Sequence, residues 1–330
     1  MRAILVFLVS LIICIIAIVI ERMVGIGWDY HPDVITYITT YKSVTEQGLD
    51  ALPNQLYYFI TNWVGGSVSL LIALNVLAYC TANMIIANVY YDFCCVKGRV
   101  KRKGSILMLV LLLFAPYRLH LAIHALKDTF IILSLCTFAA FNGRSIYSWL
   151  AWIPLLLLRI YAVFYTLILV RGRMLLIIIA LAIVLIGFLD LPVLEVLQDR
   201  NEAGMHSREF DVIPSFVGMG LTGTILRMIV WPLLVVTGAY VILSPALLFI
   251  PLALEALVAR VWSRHVFGHL GLTIGLIVCL AVIAAFVDSF TAYLRYVYPA
   301  LVVMPIIIMR NMAHLPNRMP RRSSKSLRWL

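Results

Sequence analysis

The chain has 330 residues, 63% hydrophobic and 12% charged, with a mean hydropathy of +1.02. Soluble domains carry about 25% charged and about 45–50% apolar residues. A water-soluble fold of this length is therefore excluded, and an all-α, polytopic integral membrane protein is expected. The formal net charge of +11 is read as basic loops held on the cytoplasmic side of a bilayer, not as a nucleic-acid interface.

The first run, MRAILVFLVSLIICIIAIVI, has one Arg ahead of an apolar stretch, as a signal peptide does. It is long enough to span and is followed by Glu21-Arg22, not by a small-x-small cleavage site, so a retained helix over Ala3–Met23 is expected. A polar segment, about 25–66, follows. Within it Val34, Ile35, Ile38 and Tyr41 fall at helical spacing and predict a short amphipathic helix on the membrane surface. The second span covers about 67–90 and contains Asn75, Asn83 and Asn88, amides suited to bonding neighbouring helices. A dense basic loop, KGRVKRKG (97–104), leads to a third span. That span starts near Ser105 and is expected to run on through RLHLAIHALKD (118–128), stacking Arg118, His120, His124 and Lys127-Asp128 along one helix.

Further spans are expected over 129–142, 146–158 (stopping at Arg159), 160–170 and 174–189. A second polar segment, 190–223, precedes a proline-kinked span over 228–259 that carries Glu255 near its end. The last two spans are placed over 267–287 and 297–309. This gives about ten spans with both termini cytoplasmic. It makes residues 1–310 one transmembrane domain with outer loops at about 25–66 and 190–223, and residues 311–330 a basic cytoplasmic tail. The charge count agrees: this topology puts 17 cations and two acids inside against nine cations and 13 acids outside, net +15 and −4.

Five of the nine outer cations stand at the ends of apolar runs: Arg118, Lys127, Arg159, Arg227 and Arg295. Each could snorkel to headgroups. Together, on the acidic side of the membrane, they suggest convergence on an anionic group such as a lipid phosphate or diphosphate. Asp29 in WDYHPD could deprotonate an acceptor hydroxyl, with His31, His120 and His124 as rival bases; Asp33 suits an N-cap of the amphipathic helix. Cys94 and Cys95 lack zinc-ligand spacing, and His265 and His269 lack a third ligand, so no metal is expected.

The order of these residues resembles a known pattern. An Asp-containing first outer loop is followed by HALKD, then Arg159-Ile160-Tyr161, then Arg227 before Trp231-Pro232 with Glu255 closing the apolar segment, then Arg295 and Pro299. This is similar to the bacterial polysaccharide polymerases of the Wzy-like and EpsG-like group, with the layout of C-type glycosyltransferases. The resemblance implies glycosyl transfer at the outer face of a bacterial inner membrane, from undecaprenyl-diphosphate-linked glycan, with no soluble cofactor. It implies a diphosphate site from Arg118, Arg159, Arg227 and Arg295, joined by Lys127. It leaves the base open among Asp29, His120 and His124, with Asp33, Asp128, Tyr161 and Glu255 supporting. Membrane lipids, the lipid-linked glycan and other polysaccharide-assembly proteins are the implied partners. The rival reading is a transporter or flippase of a lipid-linked or anionic substrate, although no internal repeat is found.

Overall fold

The structure, a computed structural model, describes residues 2–46, 55–96, 109–110, 113–141, 150–159, 162, 165–166, 216, 219–237, 239, 270–287 and 289–314. Among them all regular structure is helical: α1 (Arg2–Met23), α2 (Pro32–Glu46), α3 (Gln55–Trp63), α4 (Val68–Val96), α5 (Pro116–Ile123), α6 (Asp128–Ala140), α7 (Trp152–Leu158), α8 (Gly220–Thr237), α9 (Leu270–Phe286) and α10 (Phe290–His314). Among the described residues three stretches are long and apolar enough to cross a membrane, Ala3–Met23, Val68–Asp92 and Gly220–Thr237, and α5 with α6 makes a fourth if that bent pair is one span. The spans expected at 174–189 and over most of 228–259 fall outside the described residues, as do the last residues of the tail. The chain forms two compact units, one of Met1–Val163 with Pro305–Leu330 and one of Phe164–Met304.

In the first unit α1 is apolar on its outside. Ile4, Leu5, Leu8, Ile12, Ile15, Ile16 and Val19 are exposed, while Ser10 and Cys14 are buried against α4. Oil outside and hydroxyl inside is the arrangement a helix needs in lipid, where apolar side chains gain nothing by hiding and polar ones need protein partners. The Asn83 amide of α4 donates to Ser10 Oγ at 2.9 Å and more weakly to the Leu113 carbonyl at 3.4 Å, a contact class worth about 0.6–2 kcal/mol in membranes. Helix α1 stops in a Schellman turn: the Ile26 amide donates to the Glu21 carbonyl, the Gly25 amide to the Arg22 carbonyl, and Gly25 takes φ +83°. Only glycine adopts that backbone without steric cost.

The amphipathic helix expected in the outer segment is α2, but its buried face is centred on Val34 and Tyr37, and Ile35 is exposed. The partner is α3 (QLYYFITNW), a helix that was not expected within the polar segment 25–66. Tyr37 meets the rings of Tyr57 and Tyr58 edge-on at 4.8 and 5.5 Å, the arrangement favoured by aromatic quadrupoles.

The single helix expected through 118–128 is corrected. Helices α5 and α6 meet at 119°, and His124 between them is extended (φ −108°, ψ 157°). No Pro or Gly lies at the break. The cause is α4: the Asn75 amide donates to the carbonyls of His124 (2.5 Å) and Leu126 (2.8 Å). Those carbonyls need no helical partner once Asn75 serves them, so the chain can turn in a buried place where unsatisfied backbone is costly. Helix α7 ends at Arg159 as expected, with Arg159 extended beyond its last turn.

In the second unit α8 starts at Gly220, eight residues before the expected Met228, and takes in the end of the expected outer loop. It is cleanly two-faced. Gly223, Thr224, Arg227, Trp231 and Val235 are buried, and Leu221, Ile225, Ile229 and Leu233 form an exposed stripe at i, i+4 spacing. Trp231 packs on Phe290 and Tyr293 of α10 at 5.6 and 5.2 Å between ring centroids. Because α10 begins at Phe290, Arg295 lies inside that helix and not at the entry to a span starting at 297.

The Schellman turn yields a first prediction. Gly25→Ala should destabilise the detergent-solubilised protein by about 1 kcal/mol, since a Cβ is strained at positive φ, and Gly25→Asn should recover part of that loss. Unfolding titrations with a denaturing detergent read the difference; equal midpoints for Gly25→Ala and the parent would contradict this account of the turn.

Candidate functional site

Local structure explains why one carboxylate and three imidazoles meet. Glu21 sits on the last turn of α1, and the turn closed by Gly25 folds 27–30 back so that His31 arrives just before α2. His120 is on α5, and His124 follows as the extended residue whose carbonyl Asn75 holds. Glu21 Oε1 lies 2.7 Å from His120 Nδ1 and Oε2 lies 2.9 Å from His124 Nε2. An ionised carboxylate only accepts, so each of those nitrogens donates, and Glu21 fixes the tautomer of both rings. In its neutral form His120 then presents a bare Nε2, which lies 2.9 Å from His31 Nε2 and accepts from it. His124 Nδ1 is buried with no hydrogen-bond partner among the described residues. The ring centroids of His31, His120 and His124 stand 4.5–5.0 Å apart, and Tyr30 closes the cluster with its ring 5.1 Å from His31 and 5.8 Å from His120. His124 is 2% exposed, whereas the side chains of His120 and Glu21 are 20% and 19% exposed. The cluster thus has a dry side and a side that solvent can reach.

Around the same helix break stand three cations. Arg159 Nη1 donates to Asp128 Oδ1 at 3.0 Å, both side chains almost wholly buried. Asp128 is in the first turn of α6, where the helix dipole favours an anion. Lys127, also buried, places Nζ 6.0 Å from the centre of the Tyr37 ring. Arg118 lies over Tyr79 of α4 at 4.8 Å, a cation–π contact strengthened by exclusion of water.

The expected site residues therefore divide. His120 and His124 come together, with His31, on a carboxylate that sequence reasoning had treated only as the end of the first span, Glu21. Asp29, expected as a base, is exposed and makes no hydrogen bond among the described residues, and it is not on one helix with Asp33, which lies in the first turn of α2. Asp128 is the partner of Arg159. Arg118, Lys127 and Arg159 are buried in the first unit. Arg227 and Arg295 belong to the second, where Arg227 donates to Thr224 Oγ1 at 3.2 Å and faces Trp231 at 5.8 Å. Tyr161, Glu255, His265 and His269 lie outside the described residues. The signal for Glu21 was present: an acid on the last turn of an otherwise apolar span requires a partner or a role.

The buried pair gives a second prediction. Asp128→Ala leaves a guanidinium without this carboxylate in a dry site and should cost about 3–5 kcal/mol, whereas the double replacement Asp128→Leu with Arg159→Met should cost far less. A double-mutant cycle of unfolding free energies in detergent checks it; additive losses would rule out coupling between the two side chains.

No protein-family model, no curated protein and no solved structure matches this chain.

Proposed function

We propose that this protein is a membrane-embedded glycosyltransferase that extends a surface polysaccharide from polyprenyl-diphosphate-linked sugars at the outer face of a bacterial inner membrane. The observation that carries the reading is the concentration of buried charge at the α5–α6 break, Arg118, Lys127 and the Asp128–Arg159 pair, beside a half-open histidine–carboxylate cluster. A chain that could cross a membrane several times keeps such groups only where they work on a polar substrate or hold one another. Cations that stabilise a departing diphosphate and a general base are the two requirements of this reaction.

In the proposed step an acceptor hydroxyl oxygen bonds to the anomeric carbon of the lipid-linked donor. The bond from that carbon to the diphosphate oxygen breaks, and its electron pair leaves with the diphosphate, stabilised by Lys127 and Arg159. The hydroxyl proton passes to a base, His120, His124 or Asp29. Arg227 and Arg295 stand at outer positions in the proposed ten-span topology with cytoplasmic termini, and their proposed phosphate-binding role rests on the sequence pattern alone. Asp128 acts by positioning Arg159.

A helix broken within one apolar stretch is also a feature of transporters, so carriage of a lipid-linked or anionic substrate is the second reading. The two separate cleanly. Deleting the gene should collapse the ladder of surface glycans to a single repeat, or remove one branch sugar if the enzyme adds single residues. Lys127→Ala and Arg159→Ala should each cut elongation by about 10²–10³-fold, with the protein still present in the membrane fraction. Unaltered glycans in the deletion strain would refute the proposal, and substrate translocation in proteoliposomes without elongation would establish the transporter.

A further inference from the structure

The histidine cluster has features that base catalysis does not require. One imidazole nitrogen from each of His31, His120 and His124 lies within 4.8 Å of one from each of the others. Two of the rings are clamped by a single carboxylate, one at 2.7 Å and one at 2.9 Å. The rings come from three separate places, the loop before α2, α5 and the break after it. A lone general base would need only one of them.

We propose that His31, His120 and His124 form a binding site for a divalent transition metal ion, Zn²⁺ being the best match, with Glu21 as the carboxylate that orients the ligands. Zinc takes neutral imidazole nitrogens at about 2.0–2.1 Å, and three rings on tetrahedral directions at that distance hold their centroids about 5 Å apart. The separations in the structure are 5.0, 4.9 and 4.5 Å. The tautomers suit the same role. His120 gives Nδ1–H to Glu21 and turns Nε2, as a lone pair, toward His31 Nε2 at 2.9 Å. This is the carboxylate–histidine–metal relation that orients a ligating ring and raises its basicity. His124 gives Nε2–H to Glu21, so its Nδ1, buried and without a partner among the described residues, is likewise a lone pair. Imidazole donors without thiolate favour zinc and its neighbours over magnesium or calcium, which take oxygen ligands.

Three protein ligands leave a fourth position for water or a substrate oxygen, and the partial exposure of His120 and Glu21 leaves a way in. The ion would also tie the outer segment, through His31, to the ends of α1 and α5. Ring nitrogens held by the ion take no proton. If the glycosyltransferase reading is correct, the base is then Asp29, and not His120 or His124. The site itself goes beyond that reading and does not depend on it.

The test uses the full chain purified in detergent, equilibrated with Zn²⁺ alone and freed of loose metal. Elemental analysis should find about one Zn²⁺ per chain, lost in the His31→Ala and His120→Ala variants, while Glu21→Gln should weaken binding about 10–100-fold. His31 precedes α2 and supports no helix core, so its variant should keep the elution volume and helical circular dichroism of the parent. An X-ray absorption spectrum of the zinc-loaded parent reads the ligands without any mutation, and imidazole nitrogens in the first shell are expected. A parent chain that retains no zinc, a stoichiometry unchanged when His31 and His120 are both replaced, or a first shell of sulfur would overturn the proposal. Zinc content is measured without substrate and should be unchanged in Lys127→Ala, so its outcome is independent of glycan elongation.

Discussion

The double donation from the Asn75 side chain to the carbonyls of His124 and Leu126 is the interaction on which the arrangement of the first unit depends. A helix can break within an apolar layer only if the freed backbone groups find new partners, because water is not there to take them. The amide of α4 takes two such carbonyls at once. The turn then sends Lys127 and Asp128 into a new helix at 119° to the one that carries Arg118 and His120. One buried amide thus sorts the charges of an eleven-residue stretch, RLHLAIHALKD, into two groups with different partners.

Each group is held by the rule that buried charge needs a counter-charge or a polarisable face. Arg159 has Asp128, Arg118 has the Tyr79 ring, and His120 and His124 share Glu21. The pairs are not equivalent. Asp128 with Arg159 is dry on both sides, so its strength reflects mutual dependence more than a net gain in stability. The Glu21 cluster is about one-fifth exposed at two of its members, so its polar atoms can be reached from outside. The proposed diphosphate site and the proposed metal site are compatible at this break, since the first would draw on Lys127 and Arg159 and the second on histidines anchored to α1.

Much of the local structure was legible in the chain. The ends of α1, the amphipathic character of 32–46, the stop at Arg159 and the bonding role of Asn75 and Asn83 all follow from nearest-neighbour chemistry: apolar run length, helical spacing, and amides inside oil. The break after Ile123 was not legible. IHALKD contains no residue that ends a helix, and the cause lies about fifty positions earlier, at Asn75. Helix α3 was hidden for a similar reason. Its tyrosines read as loop until Tyr37 of α2 gives them a face to pack on.

The sequence by itself determined, from the length and order of its apolar runs, that this chain has helical segments able to cross a membrane and that Arg118, Lys127, Arg159, Arg227 and Arg295 stand near the ends of such runs. Hydropathy and charge are sums over residues, and such sums need no knowledge of contacts. Only the tertiary structure decided which acid serves which cation. Asp29 is nearer than Glu21 to His31 in sequence, yet Glu21 makes the contacts to His120 and His124, because the glycine-closed turn after α1 folds the chain back over its own last turn. Partner choice depends on where helices cross, and crossing is set by the packing of α1, α4 and α5 on one another and not by the order of residues along any one of them.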